Sequence, residues 1–160
     1  MAVIWNGNIL LDTIIQNEEK SVELYQYIAS TLNDEDQKEL FISLSCDEER
    51  HAKIYNAIKR KFVENSEINI AEEDRAYLEL LIVNNIFSNG KDHMAEIKKL
   101  LETMNPYDLA EKLERDAILY VLELQELYPN LAPEEISIIL KEERKHLRLV
   151  FTKKLDQLRK

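Results

Sequence analysis

The chain has one cysteine, two glycines and three prolines in 160 residues. A single thiol closes no internal disulfide, and a four-cysteine metal site cannot be built within the chain. Glycine and proline fall far below average usage, which excludes collagen-like and low-complexity chains and argues against a turn-rich β-sandwich. Long apolar runs are missing as well. None approaches the ~20 residues needed to span a membrane. The start, MAVIWNGNILLD, lacks the basic and apolar regions of a secretory signal. A soluble protein of the reducing cytoplasm, with no membrane partner, is expected. Basic residues are in deficit, 21 against 31 acidic, for a net charge of −10. That field repels phosphate backbones, so no nucleic-acid partner is expected.

What is present is helical periodicity. A chain of this length can bury roughly 68–70% of its unfolded surface, enough for one domain with its own core. Apolar residues recur at three- and four-residue spacing over residues 8–32, 35–62, 106–128 and 133–159. The first stripe reads Leu11, Ile14, Ile15, Val22, Tyr25, Ile28, Ala29, Leu32, and the second Phe41, Leu44, Ala52, Tyr55, Ile58, Phe62. The third is Ala110, Ala117, Ile118, Val121, Leu122, and the fourth Ile136, Ile139, Leu140, Leu147, Val150, Phe151, Leu155. Asn33-Asp34 and Asn105-Pro106 supply helix starts, and Pro129 and Pro133 mark a stop and a start. The short connections make two antiparallel hairpins. Residues 63–105 are too many for a structureless loop. They are expected to hold helices over about 72–87, with a stripe of Tyr77, Leu80, Leu81, Asn84 and Phe87 ending at Gly90, and about 92–102. The expected fold is all-α: one domain over 1–160, a four-helix bundle of two hairpins joined by a long, partly helical crossover, the ferritin-like arrangement.

Charged residues that interrupt the stripes carry the chemistry. Glu18 lies four after Ile14 and four before Val22. Glu48 lies four after Leu44, and His51 four before Tyr55. Glu114 sits between Ala110 and Ile118, Glu143 four after Ile139, and His146 four before Val150. Six ionisable side chains thus fall on inward faces, where an unpaired charge costs several kcal/mol. Two divalent cations would neutralise the four carboxylates. Glu48-x-x-His51 and Glu143-x-x-His146 repeat one motif, and an i, i+3 pair shares a helix face. Glu18 to Glu114 is an offset of 96, and Glu48 to Glu143 and His51 to His146 are offsets of 95. Cys46-Asp47-Glu48-Glu49-Arg50-His51 also resembles Lys141-Glu142-Glu143-Arg144-Lys145-His146. One hairpin reads as a duplicate of the other. A lone Glu-x-x-His is usually a solvated helix face; the repeat, the phase and the two further Glu set this constellation apart.

Glu18-x6-Tyr25, Leu44-x3-Glu48-x2-His51, Glu114 and Glu143-x2-His146 together resemble the di-iron carboxylate domain of the rubrerythrin family, in the ferritin-like superfamily, over nearly the whole chain. The resemblance implies that Glu48 and Glu143 bridge two metals, that Glu18 and Glu114 are terminal ligands, and that His51 and His146 cap one metal each. It also implies reduction of hydrogen peroxide or dioxygen under oxidative stress, with electrons from a separate donor protein, rubredoxin-like or a flavoprotein. A homodimer is expected. Iron suits a six-ligand, carboxylate-rich set better than zinc, which prefers four N or S ligands; manganese or a mixed pair stays open. Ferritin-like iron oxidation or storage is the alternative function, and a helical interaction module with a vestigial site a third.

The chain departs from the family pattern. It cannot carry the four-cysteine rubredoxin domain, and the family's additional helix-three Glu, three residues after the first, falls at Ala117. Glu111-x-x-Glu114 has the same spacing and offers a second register, with Glu111 as a ligand. His93 in the crossover is expected on the surface, and Cys46 as a buried structural thiol. Tyr25 and Tyr55 are expected to pack in the core, with a hydrogen bond to a ligand carboxylate as the alternative.

Overall fold

The computed structural model describes residues 1–62, 66–85 and 93–160. Strand β1 (Ala2–Asn6) leads into α1 (Gly7–Thr31), followed by α2 (Glu35–Phe62), β2 (Glu67–Ala71), α3 (Glu72–Val83), α4 (His93–Thr103), α5 (Pro106–Leu127) and α6 (Pro133–Leu158). α1 packs along α2 and α5 along α6; α1 against α5 joins the hairpins, while α2 and α6 meet sparingly. The two antiparallel hairpins and the crossover are those expected from the periodicity. Among the described residues, no helix is long and apolar enough to cross a membrane.

The starts of α1, α2 and α5 follow from capping chemistry. Asn6 accepts from the Asn8 amide at 2.9 Å, Asp34 from Gln37 at 3.0 Å, and Asn105 from Tyr107 at 2.8 Å. Each short side chain satisfies an amide that the first turn leaves free.

Two apolar clusters lie along the bundle. One gathers Leu10, Leu11, Ile14, Tyr55, Ile58, Tyr120, Leu124, Ile136 and Ile139; the other Leu24, Tyr25, Ile28, Phe41, Leu44, Leu109, Leu113 and Val150. On every long helix the inward charged residue falls between the two stretches. A polar layer therefore crosses the bundle with apolar packing on either side.

Several expectations are corrected. The small sheet was not anticipated: β1 pairs antiparallel with β2, Trp5 opposite Ile68, and closes over the first cluster with Trp5 and Ile70 buried. The residue that α3 buries is Leu78, with Tyr77 and Leu80 exposed, and α3 ends at Val83. Leu122 and Leu155 lie at 38% and 51% exposure, outside the core. Cys46 is exposed, because two residues before Glu48 turns it about 200° from the buried face. Phe87, Gly90 and the side chain of His93 lie outside the described residues.

Candidate metal centre

Glu18, Glu48, His51, Glu114, Glu143 and His146 are each at most 3% exposed. α1 contributes the first, α2 the next two, α5 the fourth and α6 the last pair. They form two overlapping groups able to hold a metal ion: Glu18, Glu48, His51 and Glu143, and Glu48, Glu114, Glu143 and His146. Within each group one ligand atom per residue lies within 4.8 Å of all the others. Glu48 and Glu143 are common to both. The rings of His51 and His146 face each other, centroids 5.8 Å apart.

The inner atoms are the ones without hydrogen bonds. Glu18 Oε2, Glu48 Oε1, Glu114 Oε2, both Glu143 oxygens and the Nδ1 atoms of both histidines are buried and unsatisfied among the described residues. His51 Nδ1 lies 3.0 Å from Glu143, 3.4 Å from Glu48 and 3.7 Å from Glu18, close enough for ion pairing but without hydrogen-bond alignment. His146 Nδ1 stands likewise between Glu48 at 3.2 Å and Glu114 and Glu143 at 3.4 Å. Buried polar atoms in native proteins are nearly always partnered. Seven orphaned N and O atoms converging on one layer fit a pair of divalent cations with oxygen and imidazole ligands.

The outer nitrogens are held instead. His51 Nε2 donates to Glu142 Oε2 at 2.7 Å, and His146 Nε2 donates to Asp47 Oδ2 at 3.0 Å. The pairing is crossed: each ring is held by the acid that precedes the shared Glu of the opposite hairpin. Arg50 Nη2 binds both acids, Asp47 at 2.9 Å and Glu142 at 3.0 Å. Burial pushes both carboxyls up, but the hydrogen bonds from the guanidinium and the imidazoles outweigh it and hold them below their ordinary range. An ionised carboxylate only accepts, so each Nε2 carries its proton. In the neutral ring the lone pair is then on Nδ1, facing the centre, as a metal ligand requires.

Burial, then the charges of Glu48 and Glu143, raise the Glu18 carboxyl well above its ordinary value; burial and Glu48 do the same to Glu114. Burial also acts against ionised Glu48, yet the Glu18 carboxyl and the imidazoles of His146 and His51 beside it bring it below the usual range. Burial opposes charge on the histidines too, but three carboxylates around each Nδ1 raise them. Without cations, protons do the neutralising.

Tyr25 takes the second of its expected roles: its hydroxyl donates to Glu114 Oε1 at 2.6 Å. The Tyr55 hydroxyl is buried and makes no hydrogen bond among the described residues. Glu111 points away from the layer, 3.7 Å from both Arg115 and Lys154. Ala117 shares the buried face of α5 with Glu114. Asp47, Glu142 and Arg50 were missed as functional residues. The signal was an acid four residues before each histidine in both copies of the repeat.

Neither the curated proteins nor the solved structures searched gave a match. A family model described as Rubrerythrin matches residues 9–150. That span runs from the first turn of α1 to beyond His146 and takes in all six buried ionisable residues. The chain therefore belongs to the rubrerythrin family, the ferritin-like di-iron carboxylate proteins.

Proposed function

We propose that this protein binds two iron ions and reduces hydrogen peroxide, or dioxygen, with electrons from a separate donor protein. The observation that carries this reading is the set of orphaned inner atoms on Glu18, Glu48, His51, Glu114, Glu143 and His146. Glu48 and Glu143 would be shared by both ions, Glu18 and His51 would hold one, and Glu114 and His146 the other. When bound, the iron pair supplies two electrons at adjacent positions, matching the two electrons and two protons that convert one peroxide to two waters. Tyr25 fixes the outer oxygen of Glu114, Glu142 and Asp47 fix the imidazoles, and the apolar clusters on either side limit water. A homodimer is part of the proposal.

The test is the metal content of protein expressed with iron, followed by the optical spectrum of the reduced protein on addition of peroxide. Two irons per chain and oxidation by one equivalent of peroxide are expected. Protein that takes up no iron when refilled anaerobically would overturn the reading.

A further inference from the structure

In a chain of net charge −10, the outer face of α6 is basic. Lys141, Arg144, Lys145 and Arg148 follow one another at i, i+3, i+4 and i+7, all exposed and without an ion pair among the described residues. The line Ile138, Lys141, Lys145, Leu149 runs along the same helix, with Ile138 52% and Leu149 40% exposed. Two lysines are thus bracketed by two exposed apolar side chains. Beside this line lies Glu142, which holds His51 at 2.7 Å and is bound across the seam by Arg50. Here a single residue separates solvent from an imidazole of the metal centre, and α2 and α6 pack sparingly.

We propose that this α6 face, at its seam with α2, is where an acidic electron-donor protein docks, and that electrons enter through Glu142 and His51. This rests on the reading of the chain as a protein that receives electrons from a separate donor. A cationic face on an anionic molecule orients an acidic partner and speeds encounter. A small patch of charge flanked by two apolar side chains suits the weak, short-lived complexes of electron transfer. The step is balanced: two one-electron deliveries per peroxide oxidise two donor molecules and return the two irons to the reduced state.

The probe is a reduced, acidic rubredoxin, with the iron-loaded protein and peroxide. Lys141→Glu/Lys145→Glu is compared with Lys98→Glu/Lys99→Glu, an equal charge change at exposed positions on α4. The α6 variant should raise KM for rubredoxin by about tenfold or more and flatten its dependence on salt. It should leave kcat, and reduction by methyl viologen, unchanged. Equal effects of both variants, or none from the α6 variant, would overturn the assignment. NMR of labelled rubredoxin titrated with each protein separates this from the reaction itself. Binding lost in the α6 variant, without peroxide turnover in any protein, keeps the surface and sinks the proposed activity; no binding to the unaltered protein sinks the surface.

Discussion

At the scale of single residues, the centre is held from outside as much as from within. Arg50 reaches neither histidine, yet it binds both acids that do. Arg50→Ala should free Asp47 and Glu142 and let both rings turn. Loss of such outer partners typically costs 10–100-fold in metal affinity, so about tenfold weaker iron binding is expected, with partial recovery in Arg50→Lys. Competition against a chelator of known affinity measures it, and unchanged affinity in Arg50→Ala would show that the acids hold the rings unaided. Ala117 is the other informative position. Where the family pattern has a further carboxylate, this chain has a buried methyl, which leaves the two half-sites nearly symmetric. Ala117→Glu should raise peroxide turnover while overpacking the core at a cost of about 1–3 kcal/mol. Assays with a common donor and thermal melts of the same preparation test both halves, and turnover unchanged in protein that retains its iron would show that the missing carboxylate does not limit the reaction.

Among the elements, the two-stranded sheet fixes where α1 begins. The Ser66 carbonyl accepts from the Gly7 amide at 3.0 Å and from the Tyr128 hydroxyl, and Tyr128 packs edge-on against Phe62. A Cβ on Gly7 would fall 2.6 Å from Tyr128 Cζ. Gly7→Ala should therefore displace a ring held on two sides and destabilise the fold by about 1–3 kcal/mol, measured by chemical denaturation. Unchanged stability would mean the ring swings aside freely. This clasp also shows what the sequence could not tell. Four helices of 22 to 28 residues carry enough turns for their apolar phase to be read directly. The same phase placed Glu18, Glu48, His51, Glu114, Glu143 and His146 on inward faces, where the structure buries them. β1 and β2 have five residues each and pair across more than sixty residues of chain, so no local pattern announces them. Asp47 and Glu142 escaped for a related reason. Each serves a histidine on the other hairpin, a contact that exists only once the hairpins are packed.

For the molecule as a whole, the buried layer ties folding to metal and to pH. Without cations, burial and neighbouring carboxylates raise Glu18 and Glu114 above their ordinary value of 4.5. Their contribution is fully present below that value and is lost as pH climbs through the raised one, because the unfolded chain gives up its protons first. His51 and His146, raised from 6.5 by the carboxylates around them, act in the same direction: their contribution is complete below 6.5 and declines as pH rises toward the higher value. Glu48, Asp47 and Glu142 lie below their ordinary range, so what they contribute is lost only as pH falls into the acid range. Metal-free protein should therefore be most stable at mildly acidic pH and weaken steadily toward pH 8. Bound cations replace those protons and favour the opposite direction, since ligands must be deprotonated. The gap in Tm between iron-loaded and chelator-stripped protein should widen from pH 5 to pH 8, at about 2–4 °C for each kcal/mol. Calorimetry at pH 5, 6.5 and 8 on both forms measures it. Coincident melts at pH 8 would mean that the six side chains hold no metal, and that this cluster persists in the core through its own protons alone.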